Sequence, residues 1–172
     1  MTSFRRSMAC AFALSLISAV PGQGIARTSA SPLVGSWVLV ECDNISPDGA
    51  HVHLYGDDPQ GLLLFEPDGH YAMQIVRRDR PRFAAGDKAK GTPDEYRAAV
   101  LGYNAHYGRY TYDPATQSIA FAIERASYPN WEGRPPRANP VKLEGDTLSY
   151  RVAAPSTGGP GIVGEVVWRK VS

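Results

Sequence analysis

Cysteine is scarce in this chain: only Cys10 and Cys42 occur among 172 residues. A disulfide-stapled miniprotein and a four-cysteine zinc site are both excluded, so the fold must rest on its own core. Charge of one sign is also lacking. Lys plus Arg number 18 against 17 for Asp plus Glu, leaving no global field to draw the protein onto nucleic acid or an anionic membrane. No apolar run reaches the roughly 20 residues that span a bilayer. Gly-rich phosphate loop, nucleophile elbow and metalloprotease helix are missing too. No cofactor and no metal is expected from these patterns.

What is present begins with an address. Arg5 and Arg6 precede an apolar stretch from Met8 to Val20, followed by Pro21, Gly22 and Gly24. This is the order of a secretory signal. Cleavage after Ala26 is expected, with Ala19 as a second option, so residues 1–26 are assigned to the signal and 27–172 to the mature domain. The residues after Arg5-Arg6 match the twin-arginine motif poorly, which favours the general export route and a periplasmic or secreted product. Cleavage removes two arginines and no acids, so 16 basic face 17 acidic residues, and Cys42 loses its only possible intramolecular partner. Burial is the expected fate of that thiol.

The mature chain reads as β-hairpins. Val34, Val38 and Val40 mark a strand before the turn Ser46-Pro47-Asp48-Gly49. Leu62–Glu66 and His70–Val76 flank Pro67-Asp68-Gly69, the strongest hairpin signal. Alternation puts Leu63, Phe65, Tyr71, Met73 and Ile75 on one face, the expected interior. Further strands flank Pro114–Gln117 and Glu144-Gly145-Asp146, and Val163–Val171 closes the chain. Thr92-Pro93-Asp94-Glu95 is a capping box, and Tyr96, Ala99, Val100, Tyr103 and Tyr107 follow at helical spacing. The expected fold is all-β: at least seven antiparallel strands in an up-and-down barrel with one short helix, closed so that no sheet edge is left open.

Leu33–Leu39, with Gly35-Ser36-Trp37, resembles the opening of the microbial lipocalin-like domain family. Gly61–Gln74, Arg80–Asp87, Thr92–Tyr96, Tyr107–Tyr110, Pro129-Asn130-Trp131-Glu132-Gly133 and Val167-Trp168-Arg169 are similar to that family in the same order. The resemblance implies a small antiparallel barrel with a cavity for a lipophilic ligand. Two departures stand out: Phe121 replaces a histidine common in the family, and the Pro-rich Arg134–Pro140 stands where arginines are usual.

The leading expectation is an exported barrel holding a small, largely apolar molecule, with Phe65, Tyr71, Met73, Phe83, Tyr103, Tyr107, Tyr110 and Trp131 lining the site. The alternative is a cofactor-free cyclase or isomerase with His106, Tyr110 and Glu124 as acid–base candidates. A third is a barrel filled by its own side chains that works through surface loops. His51-Val52-His53, near Asp57 and Asp58, reads as a solvated surface pair rather than a metal site. Glu66 and His70 read as a cross-strand pair, Arg77–Arg82 as a solvated loop, and Trp37 with Arg169 as a contact where the barrel closes.

Overall fold

The structure, a computed structural model, describes residues 31–171. The expected signal segment and Cys10 lie outside them. Nine strands and one α-helix follow in order: β1 (Gly35–Ile45), β2 (His51–Val52), β3 (Gln60–Phe65), β4 (His70–Val76), α1 (Pro93–Leu101), β5 (Tyr103–Asp113), β6 (Ser118–Ala126), β7 (Ala138–Glu144), β8 (Thr147–Val152) and β9 (Val163–Lys170). All pairings are antiparallel, and β1 pairs with both β3 and β9. Eight strands therefore close into a barrel, with β2 a short addition on the far end of β1. Closure satisfies both edges of the sheet at once, which is what an up-and-down meander needs.

Turn chemistry sets the register. At Pro67-Asp68-Gly69, Glu66 N–H donates to His70 C=O at 2.8 Å, and Gly69 takes φ +88°, which only glycine adopts cheaply. The turn aligns Phe65 with Tyr71 and Leu63 with Met73. Leu63, Phe65, Tyr71, Met73 and Ile75 are all buried, as the alternation requires.

The two ends of the barrel differ. At one end Leu33, Trp37, Leu63, Phe65, Ile119, Leu148 and Trp168 are at most 2% exposed and fill the interior. Trp37 Nε1 donates to Leu33 C=O at 2.8 Å, tying the incoming chain across this end. Lys170, not Arg169, lies over the Trp37 ring, 5.2 Å from its centroid. Register explains the correction: Trp37 pairs with Lys170, while Arg169 is exposed and pairs with Val38.

The helix is shorter than its spacing suggested. Its capping box forms as expected, with Thr92 Oγ1 accepting from Glu95 N–H and Glu95 accepting from Thr92 N–H. It stops at Leu101, capped by Gly102, and Tyr103 and Tyr107 belong to β5. No residue of α1 is buried. Its apolar spacing had no core to meet, so the sheet claimed the later tyrosines.

Candidate functional site

At the end opposite Trp37 the barrel is hollow. A cavity of about 550 Å³ opens there. The pairing of Met73 with His106 and Ile75 with Asn104 brings β4 and β5 side chains into it. Phe121 and Ile123 of β6, Tyr150 and Val152 of β8, Val166 of β9 and Cys42 of β1 complete the walls. Leu54 and Tyr55, on the loop after β2, and Ala153–Thr157 close in from the rim. Asn44 Nδ2 donates to Thr157 C=O at 2.9 Å and anchors the latter segment to β1.

Trp131 is placed by its local sequence. Pro129 opens a 3₁₀ turn over Pro129–Trp131, and the Glu132 carboxylate accepts from Ala126 N–H at 3.0 Å, tying the turn to the end of β6. The indole then meets the His106 ring edge-on, centroids 5.6 Å apart. Arg134 and Arg137, on the loop that follows, stand at the rim.

His106 is the polar centre of the cavity. It is 9% exposed, and burial lowers its pKa from 6.5 to about 4. The ring is therefore neutral at physiological pH. Its Nδ1 lies 2.8 Å from Tyr71 Oη, and burial pushes the Tyr71 phenol well above its ordinary range. The phenol therefore keeps its proton, and because Nδ1 is its one hydrogen-bond partner among the described residues we assign Oη as the donor, which places the imidazole proton on Nε2. Tyr71 and Phe121 pack around the imidazole, with centroids 5.5 and 6.1 Å away. Beside it, Asn104 Oδ1 is buried with no hydrogen-bond partner among the described residues. Tyr150 Oη points at Met73 Sδ, 3.7 Å away. The cavity thus combines apolar walls with one orienting donor and one free acceptor, the pattern of a small-molecule site.

The expected site residues divide. Met73 and Trp131 line the cavity, and Tyr71 reaches it through His106. Phe65 and Tyr110 are brought together at the packed end, centroids 4.5 Å apart, where Tyr110 Oη donates to Glu66 C=O at 3.1 Å. Phe83, Tyr103 and Tyr107 stand on the outside. Phe83 packs on Tyr96 of α1, Tyr103 lies under Arg80, and Tyr107 is half exposed. Tyr103 and Tyr107 line a separate depression of about 520 Å³ on the outer face of β3–β5, with Leu62, Leu64 and Gln74.

The acid–base trio does not assemble. His106 is in the cavity and Tyr110 at the opposite end. Glu124 is exposed, next to the point where β6 slips against β5, and its carboxylate bonds to no described residue. The Glu66 and His70 pairing is likewise replaced: His70 Nδ1 bonds Asp68 Oδ2 at 2.8 Å inside the turn. Asn104, Ile123 and Val152 were not among the expected lining residues, and Cys42 was expected to be buried but not to line the site. Strict alternation from His106 back to Asn104 would have found the first, had the stretch from Tyr103 to Tyr107, the first part of β5, not been read at helical spacing.

The cavity residues fall within one recognisable domain. The sequence profile of the lipocalin-like domain family matches residues 34–171. A 4'-hydroxy-3'-methoxypropiophenone carrier protein, ppsC, of Aspergillus oryzae (strain ATCC 42149 / RIB 40) is 28% identical over 90 residues, covering 49% of this chain and 80% of the carrier. No solved structure is a significant match. By the extent of the profile match and by its closed antiparallel barrel, this chain belongs to the lipocalin-like domain family.

Proposed function

We propose that this protein is an exported carrier that binds a small, largely apolar molecule, aromatic in part, in the open half of its barrel. The observation that carries the reading is the 550 Å³ cavity, within the roughly 300–1,000 Å³ typical of small-molecule sites. A buried aromatic ring removes roughly 200 Å² from water, worth about 5 kcal/mol at ~25 cal/mol per Å². That corresponds to a submillimolar Kd. Tighter binding therefore requires the polar groups, His106 Nε2–H toward a carbonyl and Asn104 Oδ1 toward a hydroxyl. The similarity to a carrier of an aryl ketone bearing hydroxyl and methoxy groups supports the same chemistry. Export rests on the residues 1–26 signal, and gives a periplasmic or secreted carrier.

A cofactor-free proton-transfer enzyme is the second reading, and one observation favours it: a hydrogen-bonded His106–Tyr71 pair inside the cavity. The pKa of about 4 argues against His106 as a general base, which works best near the operating pH. Orientation is the better role.

The test uses tryptophan fluorescence. Trp37 and Trp168 are fully buried at the packed end, and Trp131 borders the cavity. Titration with 4'-hydroxy-3'-methoxypropiophenone or 2-naphthol should give a saturable, one-to-one change that Trp131→Phe removes. A linear, unsaturable response to both probes sinks the carrier reading. The mass of the exported product, if it retained residues 1–26, would sink the export assignment.

A further inference from the structure

The His51-Val52-His53 motif is exposed, as its sequence suggests, but its two imidazoles converge on one buried carboxylate. It lies on the outer wall of the barrel, where β1 and β2 pair Asn44 with Val52 and Ile45 with His51. Alternation along β1 turns Cys42 and Asn44 to the cavity and Glu41 and Asp43 to the opposite face. Asp43 is only 3% exposed. Both its oxygens are engaged: Oδ2 by His51 Nδ1 at 3.0 Å and Oδ1 by His53 Nδ1 at 2.8 Å. Glu41 Oε1 stands 3.7 Å from His51 Nδ1. One ligand atom each from Glu41, Asp43 and His51 lies within 4.8 Å of the others.

We propose that Glu41, Asp43 and His51 form a binding site for a first-row transition-metal dication, with His53 holding the Asp43 carboxylate in place. Geometry, charge, donor chemistry and an outer-shell contact meet here. The separations of 3.0 and 3.7 Å bracket the edge of about 3.3 Å that a tetrahedron with Zn–ligand bonds of ~2.0–2.1 Å requires. The third separation, between the Glu41 and Asp43 oxygens, is within 4.8 Å, so a dication would draw the exposed Glu41 side chain inward. Glu41 and Asp43 bring two carboxylates together, one of them nearly buried, and a dication would offset the charge gathered there. Mixed imidazole and carboxylate donors suit Zn²⁺, Cu²⁺ or Ni²⁺, whereas Ca²⁺ and Mg²⁺ prefer all-oxygen shells. Asp43 binding His53 through its second oxygen is the outer-shell orienting contact such sites use.

The site also has a mechanical consequence. His51 and His53 sit on the strap between β1 and β3, and the next two residues, Leu54 and Tyr55, line the cavity. An ion between His51 and β1 pins that strap over the mouth. Metal binding and ligand exchange are thereby coupled through a segment that touches both.

The experiment takes the untagged full chain, stripped with a chelator. It is titrated with Zn²⁺ by calorimetry and with Co²⁺ by visible absorption. One ion per chain is expected, together with a rise in the thermal unfolding midpoint. Affinity should fall at least tenfold in Glu41→Gln and in His51→Gln. Both side chains are more than 40% exposed, so the variants are expected to fold, checked by circular dichroism. His53→Gln should weaken binding less. Absence of saturable binding would mean a hydrogen-bonded charge cluster only and overturns the proposal. Unchanged affinity in Glu41→Gln and His51→Gln, or equal competition by Ca²⁺, overturns it as well.

Discussion

His106 concentrates the chemistry of the cavity in one residue, and its pH behaviour follows from its burial. Folded, its pKa is about 4; unfolded, it returns to 6.5. Below pH 6.5 the unfolded chain binds a proton that the folded chain refuses, so stability falls with pH and levels off below about 4. The full loss is about 3 kcal/mol at 1.36 kcal/mol per pKa unit. Urea denaturation at pH 7 and pH 4 should show this loss over and above that of His106→Gln, which has no such proton to gain. Parallel pH profiles for the two proteins would show that His106 is more hydrated than its packing against Tyr71, Phe121 and Trp131 implies. Tyr71→Phe isolates the hydrogen bond. It leaves Nδ1 without its donor and should cost about 1–3 kcal/mol.

Among the elements, the β5–β6 pair is tightly constrained at one point. The register slips between Tyr107 and Gly108, and at Gly108 the strands approach so closely that a Cβ would stand 2.1 Å from Ala122 C=O and 2.9 Å from Glu124 N. Both are backbone atoms of β6, which cannot yield as a flexible side chain would. Gly108→Ala should therefore destabilise by more than about 2 kcal/mol, seen as a clear drop in the thermal midpoint. The slip also has a positional effect, because it opposes His106 to Ala126 while Tyr110 still faces Phe121. No composition rule marks such a slip, so Glu124 was paired in expectation with a histidine it does not meet. The helix shows the converse. Thr92-Pro93-Asp94-Glu95 announced where α1 starts, but tertiary pairing with β4 decided where it ends.

At the scale of the molecule, a barrel packed at one end and hollow at the other puts Cys42 on the cavity wall. Burial pushes the thiol pKa up to about 12, so almost no thiolate exists at pH 7. Iodoacetamide should label Cys42 far more slowly than free cysteine, and a bound ligand should slow it further. Air oxidation should yield no disulfide-linked dimer. Rapid labelling insensitive to ligand would mean that the mouth opens more widely than the strap and the Ala153–Thr157 rim allow.

Several features were determined by the sequence alone, because local chemistry enforces them. The Pro67-Asp68-Gly69 turn, the period-2 face of Leu63, Phe65, Tyr71, Met73 and Ile75, and the Thr92 capping box act over a few residues and need no distant partner. An even meander of such hairpins has closure as its simplest way to satisfy two edges, so the barrel followed. Only the tertiary structure decided which end is hollow, because that depends on side chains from all eight strands meeting across the axis. It likewise decided that Tyr110 serves the packed end, that Tyr103 and Tyr107 face outward, and that Asp43 joins His51 to His53. Each depends on register between segments far apart in the chain, where a shift of one residue exchanges inside for outside.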